Sequence, residues 1–412
     1  MSPFAFAIVL VLLGSLALFF FNLRLISLAS SQKHKNGQKL PPGPSGLPII
    51  GSLHILGNLP HHTLYNLAKI HGPIMYMRLG YVPTIIVSSA RAAKLFLKTH
   101  DVVFGTRPKL QSSHYLSYGT KGIAFTGYGP YWRSTKKLAT VNLLCASKIE
   151  SFAPIRKEEL GIYVETLKRA AAAREIVNFS LGVGKMIENI ACRVVFGIVN
   201  DSEFRLKDLL KEALYLGGVF NIADFIPFLA PFDPQGLTKR MKACNKALDK
   251  TFERIIDEHE KDANREKKQQ SDFIDVLLSL MDQPMMPTND GALTSIDRTN
   301  VKAILLDMII GSFDSSAATI EWTFAALLRY PRVMKCLQDE LQNVVGMNNI
   351  VEEKHLSMLP YLDMIIKETF RLHPVGPLLI PRESMEDVTV DGYYIPKKVN
   401  SYSEYLGNWT RS

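Results

Sequence analysis

Hydrophobic positions along the chain follow three regimes. From Pro3 to Phe21 they are unbroken, PFAFAIVLVLLGSLALFFF, with no charge before Arg24; as a helix this stretch spans about 28 Å, close to the thickness of a hydrocarbon core. Further on the pattern is mixed. HHTLYNLAKIHG has the spacing of a short amphipathic helix, IMYMRLG and TIIVSS flank Tyr81 to Pro83 as a hairpin, and Ser89 is placed to cap a helix running to about Lys98. After Gly129 the helical period takes over and predicts helices over 130–144, 150–172, 179–197, 203–217, 237–262, 271–281, 295–329, 331–345 and 359–372, with strand character returning only at VTVDGYYI. DANREKKQQSD and QPMMPTNDG interrupt this pattern as polar connections, and no internal repeat is visible.

The first regime predicts a membrane anchor over residues 1–22. Arg24, Lys33, Lys35 and Lys39 follow the apolar stretch rather than precede it, which opposes a cleaved signal peptide and, by the positive-inside rule, leaves the remainder of the chain cytosolic. The expected location is single-pass in the endoplasmic reticulum membrane. Residues 23–44 form a basic, proline-rich linker in which Pro41, Pro42, Gly43 and Pro44 cannot continue a helix and act as a stiff spacer; the globular part starts near residue 45. Four cysteines, Cys145, Cys192, Cys244 and Cys336, stand far apart without a CxxC pair, in keeping with a reducing compartment. The net charge of +9 comes from basic residues scattered in runs no longer than a pair, so nucleic acid is not an expected partner; anionic lipid or an acidic protein is.

The segment 295–329 would reach about 50 Å as one helix, long enough to cross a domain. Its middle is unusual for a core helix, because Gly311, Ser312, Asp314, Ser315 and Ser316 place small and polar residues among VKAILLDMIIGSF. Three other motifs flank it: GPYWRSTKKL before, KETFRLHP and PRES after. Each is weak alone, since ExxR is commonly a surface pair on a helix.

In this order, behind an anchor and PPGP, the motifs resemble the plant cytochrome P-450 family. The resemblance covers residues 1 to about 398 and implies a mainly α fold with small β-sheets, a haem cofactor and monooxygenase chemistry. It makes Gly311 and Ser312 the groove where dioxygen sits, with serine in place of the usual glycine, and Asp314 and Ser315 the acid and hydroxyl of a proton relay, with serine in place of threonine. Trp132, Lys136 and Arg382 correspond to haem-propionate positions, Lys136 replacing an arginine and turning a two-pronged contact into a point contact. Glu368 and Arg371, three apart on a helix, correspond to an ion pair that is buried in the family. Implied partners are an NADPH-cytochrome P-450 reductase, membrane lipid and a small lipophilic substrate. Candidate substrate contacts are Tyr115 to Phe125, GGVFNIADFIPFLAPF, the central helix near Phe313, and VGPLLI.

The family's axial cysteine sits in a Phe, Gly and Arg loop, and none of the four cysteines has that context, so no metal ligand is assigned. The domain is expected over 45–398, incomplete at its carboxyl end, with 399–412 a non-family tail from a frameshift or a miscalled splice junction near Lys398. Codons for YSEYLGNWTRS, read one base later, can spell the family-like IVNTWAIGRD. Two functional readings follow: a monooxygenase by family, and a chain that is inactive as it stands because it lacks haem-thiolate ligation.

Overall fold

The computed structural model describes residues 14–15, 39–198, 205–263, 271–281, 295–346 and 349–403. The anchor expected over 1–22, apart from helical Gly14 and Ser15, lies outside the described residues, as do most of the basic linker and residues 404–412. The described chain divides into two compact units.

The first unit, built from residues up to Pro108 with Ile222–Phe232 and the segment from Pro377, carries the β-structure. Helix α1 (Pro60–His71) leads into β1 (Ile74–Leu79) and β2 (Val82–Val87), the hairpin expected from alternation, paired antiparallel from Ile74 with Val87 to Leu79 with Val82. Ser89 caps α2 (Ala90–Lys94), its hydroxyl accepting from Ala92 N at 3.2 Å, and the helix continues as a π-turn through Thr99. Strand β2 is buried on both faces. Ile85 and Val87 pack with Phe96, Phe104 and Val399, while Ile86 packs with Leu64, Met75 and Met77.

Three later strands complete this unit: β3 (Arg382–Glu383), the hairpin β4 (Val388–Val390) with β5 (Tyr393–Ile395), and β6 (Asn400–Ser403). The four-stranded sheet runs β1-β2-β6-β3, with β6 parallel to β2 and antiparallel to β3. Of these, only VTVDGYYI was expected. Asn400–Ser403, assigned by sequence to a tail outside the family domain, is a central strand, because sheet pairing uses backbone groups that any residue offers. Ser384 ties the turn before it: its hydroxyl donates to Pro396 O at 2.7 Å and accepts from Val399 N at 2.9 Å.

The proline-rich segment also differs from expectation. It lies against β1, with Tyr76 N donating to Pro42 O at 2.9 Å, and a Cβ on Gly43 would sit 1.6 Å from Tyr76 O, so only glycine fits there. PPGP therefore belongs to the folded unit.

The second unit is helical: α3 (Gln111–Leu116), α4 (Pro130–Asn142), α5 (Ala146–Ser151), α6 (Ala153–Ala173), α7 (Phe179–Phe196), α8 (Leu206–Gly218), α9 (Leu237–Ala263), α10 (Phe273–Ser279), α11 (Arg298–Arg329), α12 (Pro331–Val344) and α13 (Pro360–Leu372). Helices α4 and α6 to α13 match the expected ones closely; α3 and α5 were not expected, and α5 is parted from α6 where Phe152 precedes Pro154 at the start of α6. Helix α11 is the centre. Asp297 caps it in a reciprocal arrangement with Asn300, and Val301, Ile304, Leu305, Ile309 and Phe313 pack with Phe196 of α7 and Leu248, Phe252 and Ile256 of α9.

Candidate functional site

Helix α11 changes character along its length. Residues 300–306, 309 and 313 are buried; Gly311, Asp314, Ser315 and Ser316 are exposed. A Cβ built on Gly311 would meet nothing within 4 Å, so the helix has open space beside it at mid-length. Ser312 Oγ donates to Ile309 O and Ser315 Oγ to Gly311 O, both at 2.8 Å, the back-bonding open to serine hydroxyls in helices. Gly311 and Ser315 are thus joined directly, and no hydrogen bond joins Asp314 to Ser315 among the described residues. The polar middle incurs little burial cost because it is not buried. Phe313, near which the central helix was read as a candidate substrate contact, is part of the hydrophobic core, 3 % exposed.

The enclosed carboxylate on this helix is Asp307, which the sequence reading did not single out. It accepts from Ile123 N and from Ala124 N, the latter at 3.0 Å, and burial pushes its pKa up against the pull of those two donors. Periodicity hides it, since an acid within VKAILLDMIIGSF reads as one polar position in an apolar run.

Trp132 and Lys136 lie one turn apart on α4. The Trp132 indole N–H donates to Ile123 O at 3.1 Å, and the Lys136 ammonium stands 4.6 Å from the Trp132 ring centroid while remaining exposed. Arg382, on β3 in the other unit, donates to Phe104 O at 3.4 Å. Beside it is Arg107, also missed from sequence, which donates to Ile380 O at 3.0 Å and Pro381 O at 3.1 Å. Burial lowers the pKa of both; Arg107 falls to about 10, helped by the Arg382 charge. Two half-buried guanidiniums with no ion-pair partner among the described residues make a cradle for an anion. The available signal was FGTRP, an arginine held between glycine and proline.

Glu368 and Arg371 form a two-pronged pair on α13, at 2.7 and 2.5 Å, and each holds the other in its charged form, Glu368 lowered and Arg371 raised. The Glu368 side chain is 53 % exposed, so in this chain the pair sits at a surface rather than in the interior. Of the cysteines, Cys145 caps α5, Cys192 and Cys244 are buried in the helical core, and Cys336 is exposed on α12. Burial raises the Cys244 thiol to about 11, which opposes thiolate formation. A haem-thiolate is therefore only partly matched: the arginine cradle suits a propionate, whereas no cysteine here has the setting of an axial ligand.

Comparison with known proteins fits this architecture. The Cytochrome P450 profile matches residues 41–401. The chain is 50% identical to cytochrome P450 CYP736A12 of Panax ginseng, across 98% of this chain and 80% of that protein, and 39% identical to cytochrome P450 750A1 of Pinus taeda, across 89% and 71%. It is 38% identical to strychnine-11-hydroxylase of Strychnos nux-vomica, across 90% and 72%. Among solved structures, a zebrafish cytochrome P450 with progesterone shares the fold at a TM-score of 0.69 and 22% identity, over 84% of this chain and 79% of that one. The chain belongs to the cytochrome P450 family.

Proposed function

We propose that this protein serves a monooxygenase reaction in which one atom of dioxygen enters a small lipophilic molecule, with electrons from an NADPH-dependent reductase. The observation that carries it is the open middle of α11, where a helix otherwise built for burial exposes Gly311, Asp314 and Ser315. Bound haem supplies the activation of dioxygen. The chain's own residues supply the rest. Arg107 and Arg382 hold an anionic edge, Gly311 leaves room on the helix face, and Asp314 with Ser315 can take and pass a proton there. The name of the Strychnos relative favours hydroxylation of a lipophilic natural product.

Membrane attachment belongs to the same reading. In addition to the apolar amino-terminal sequence, the segment Pro227–Phe232 exposes Phe228 and Phe232, and Tyr81 packs edge-on against Phe228 with centroids 5.8 Å apart, the kind of apolar patch that meets lipid. We place the protein at the endoplasmic reticulum membrane with its domain in the cytosol.

One observation favours a second reading for these 412 residues taken alone. With two cysteines buried, one capping a helix and one on a helix surface, the chain lacks a thiolate of the required setting and is catalytically silent. One experiment separates the readings: co-express the chain with a reductase in microsomes, reduce it under carbon monoxide, and record the difference spectrum and NADPH-dependent turnover. A thiolate-type band with turnover that falls in Asp314→Ala establishes the first reading for this chain; absence of both leaves the second.

A further inference from the structure

Where α9 ends and α10 begins, three side chains able to ligate a metal ion converge. His259 comes from near the end of α9, Asp272 caps α10, and Asp275 lies in the first turn of that helix. One ligand atom from each lies within 4.8 Å of the other two; His259 and Asp272 are buried and Asp275 is half-buried.

The imidazole decides what fits there. Its Nδ1 stands 2.8 Å from Ile255 O and its Nε2 2.9 Å from Asp272 Oδ2. Both ring nitrogens therefore face oxygen, and a neutral ring, which has a single N–H, would set a bare nitrogen against one of them. A cation at Nε2 removes that clash: a proton, or a metal ion shared with the carboxylates. The Nδ1 contact is the kind a metal-binding histidine makes, since donation to a backbone carbonyl fixes the ring and turns its other nitrogen to the ion.

Both carboxylates are oriented as well. Asp275 N donates to Asp272 Oδ1 at 3.0 Å and Asp272 N to Asp275 Oδ2 at 3.1 Å, so the backbone holds one oxygen of each side chain and leaves the other able to turn toward His259. The C-cap of α7 closes one side: a Cβ on Gly197 would crowd Asp272 Oδ2 and lie 3.5 Å from His259 Nε2. Lys148 of α5 donates to Ser271 O at 2.5 Å, within the field of both carboxylates. Two carboxylates outweigh this one ammonium, and the site favours a positive ion. Ligands of one tetrahedral zinc, each about 2.0–2.2 Å from the metal, stand about 3.3 Å apart. The separation of His259 from Asp272 has only to open slightly, and rotation of Asp275 brings in a third ligand.

We propose that His259, Asp272 and Asp275 form a zinc site that fastens the end of α9 to the start of α10. An imidazole with two carboxylates suits Zn2+ over Mg2+ or Ca2+, which prefer oxygen alone, and a solvent oxygen takes the fourth position. In the test, the full chain is freed of metal with a chelator and titrated with Zn2+, and the bound metal is counted after dialysis. One Zn2+ per chain is expected, with a thermal midpoint that rises as Zn2+ is added. His259→Gln is expected to weaken binding about tenfold or more and to remove the thermal response. Asp275→Asn, whose amide oxygen still accepts from Asp272 N, keeps the helix cap and is expected to weaken binding likewise.

Co2+ added to the unaltered chain gives a reading that needs no variant. Histidine and carboxylate ligands in four-coordinate geometry are expected to give visible ligand-field bands without a thiolate band in the near ultraviolet. A thiolate band assigns the ion to a cysteine and overturns the proposal. Zn2+ binding that both variants leave unchanged overturns it too. So does the absence of binding, which leaves a proton as the cation beside His259.

Discussion

Asp307 and Asp314 stand seven residues apart on one helix, and the chain treats them oppositely. Asp314 is exposed; Asp307 is enclosed, with a raised pKa caused chiefly by burial. A carboxyl group with a raised folded-state pKa binds its proton more tightly in the native state, so its contribution is full below the unfolded pKa and is lost as pH rises through the folded one. Asp307→Asn keeps the acceptor and removes the titration. Its thermal midpoint relative to the unaltered protein is therefore expected to rise between pH 4.5 and 7.5; a constant difference would contradict the sign. Arg107 invites a second residue-scale test. If it and Arg382 hold an anionic edge, Arg107→Ala and Arg382→Ala should each weaken equilibrium binding of haemin about tenfold, the loss of one charge-assisted hydrogen bond, while the exposed Arg91→Ala should not. Sequence reading found Arg382 and overlooked Arg107 and Asp307 for one physical reason: burial and a backbone partner distant in sequence leave no periodic mark.

Elements were far more legible than contacts. The helical period located α4 and α6 to α13 because each buries a stripe against a neighbour, and Ser89, Asp272 and Asp297 cap where capping chemistry requires. β6 escaped because its residues, Asn400, Ser401 and Ser403, are buried and polar, so neither apolar alternation nor a solvent-facing side announces it. The join between α9 and α10 carries a testable contact of its own. His259, near the end of α9, directs Nε2 to the Asp272 carboxylate at 2.9 Å and Nδ1 to Ile255 O at 2.8 Å, and both side chains are almost fully buried. Removing one partner of such a pair leaves an uncompensated buried group. His259→Ala is expected to cost about 3–5 kcal/mol in urea unfolding, and the double variant with Asp272→Asn should cost less than the sum of the two single changes; additive costs would show that the contact contributes nothing.

At the scale of the whole molecule, the proposed membrane attachment has to account for a net charge of +9 and an apolar amino-terminal stretch. An anchor alone would tether the domain without orienting it. The exposed rings of Phe228 and Phe232, set on a short turn that carries Pro227 and Pro231, offer a second contact. Each phenylalanine is only partly exposed, so the gain on entering lipid is below the roughly 1.5–3 kcal/mol of a full transfer, or about 1 kcal/mol apiece. A form beginning at residue 39 should therefore still float with anionic vesicles, and Phe228→Ser with Phe232→Ser, together removing about 2 kcal/mol, should weaken that partitioning about thirtyfold. Salt separates this contact from the basic surface: charge-driven adsorption fades as ionic strength rises, whereas burial of aromatic rings does not. At high salt the residual binding should depend wholly on the two rings, and equal residual binding of both forms would show that this patch does not face lipid.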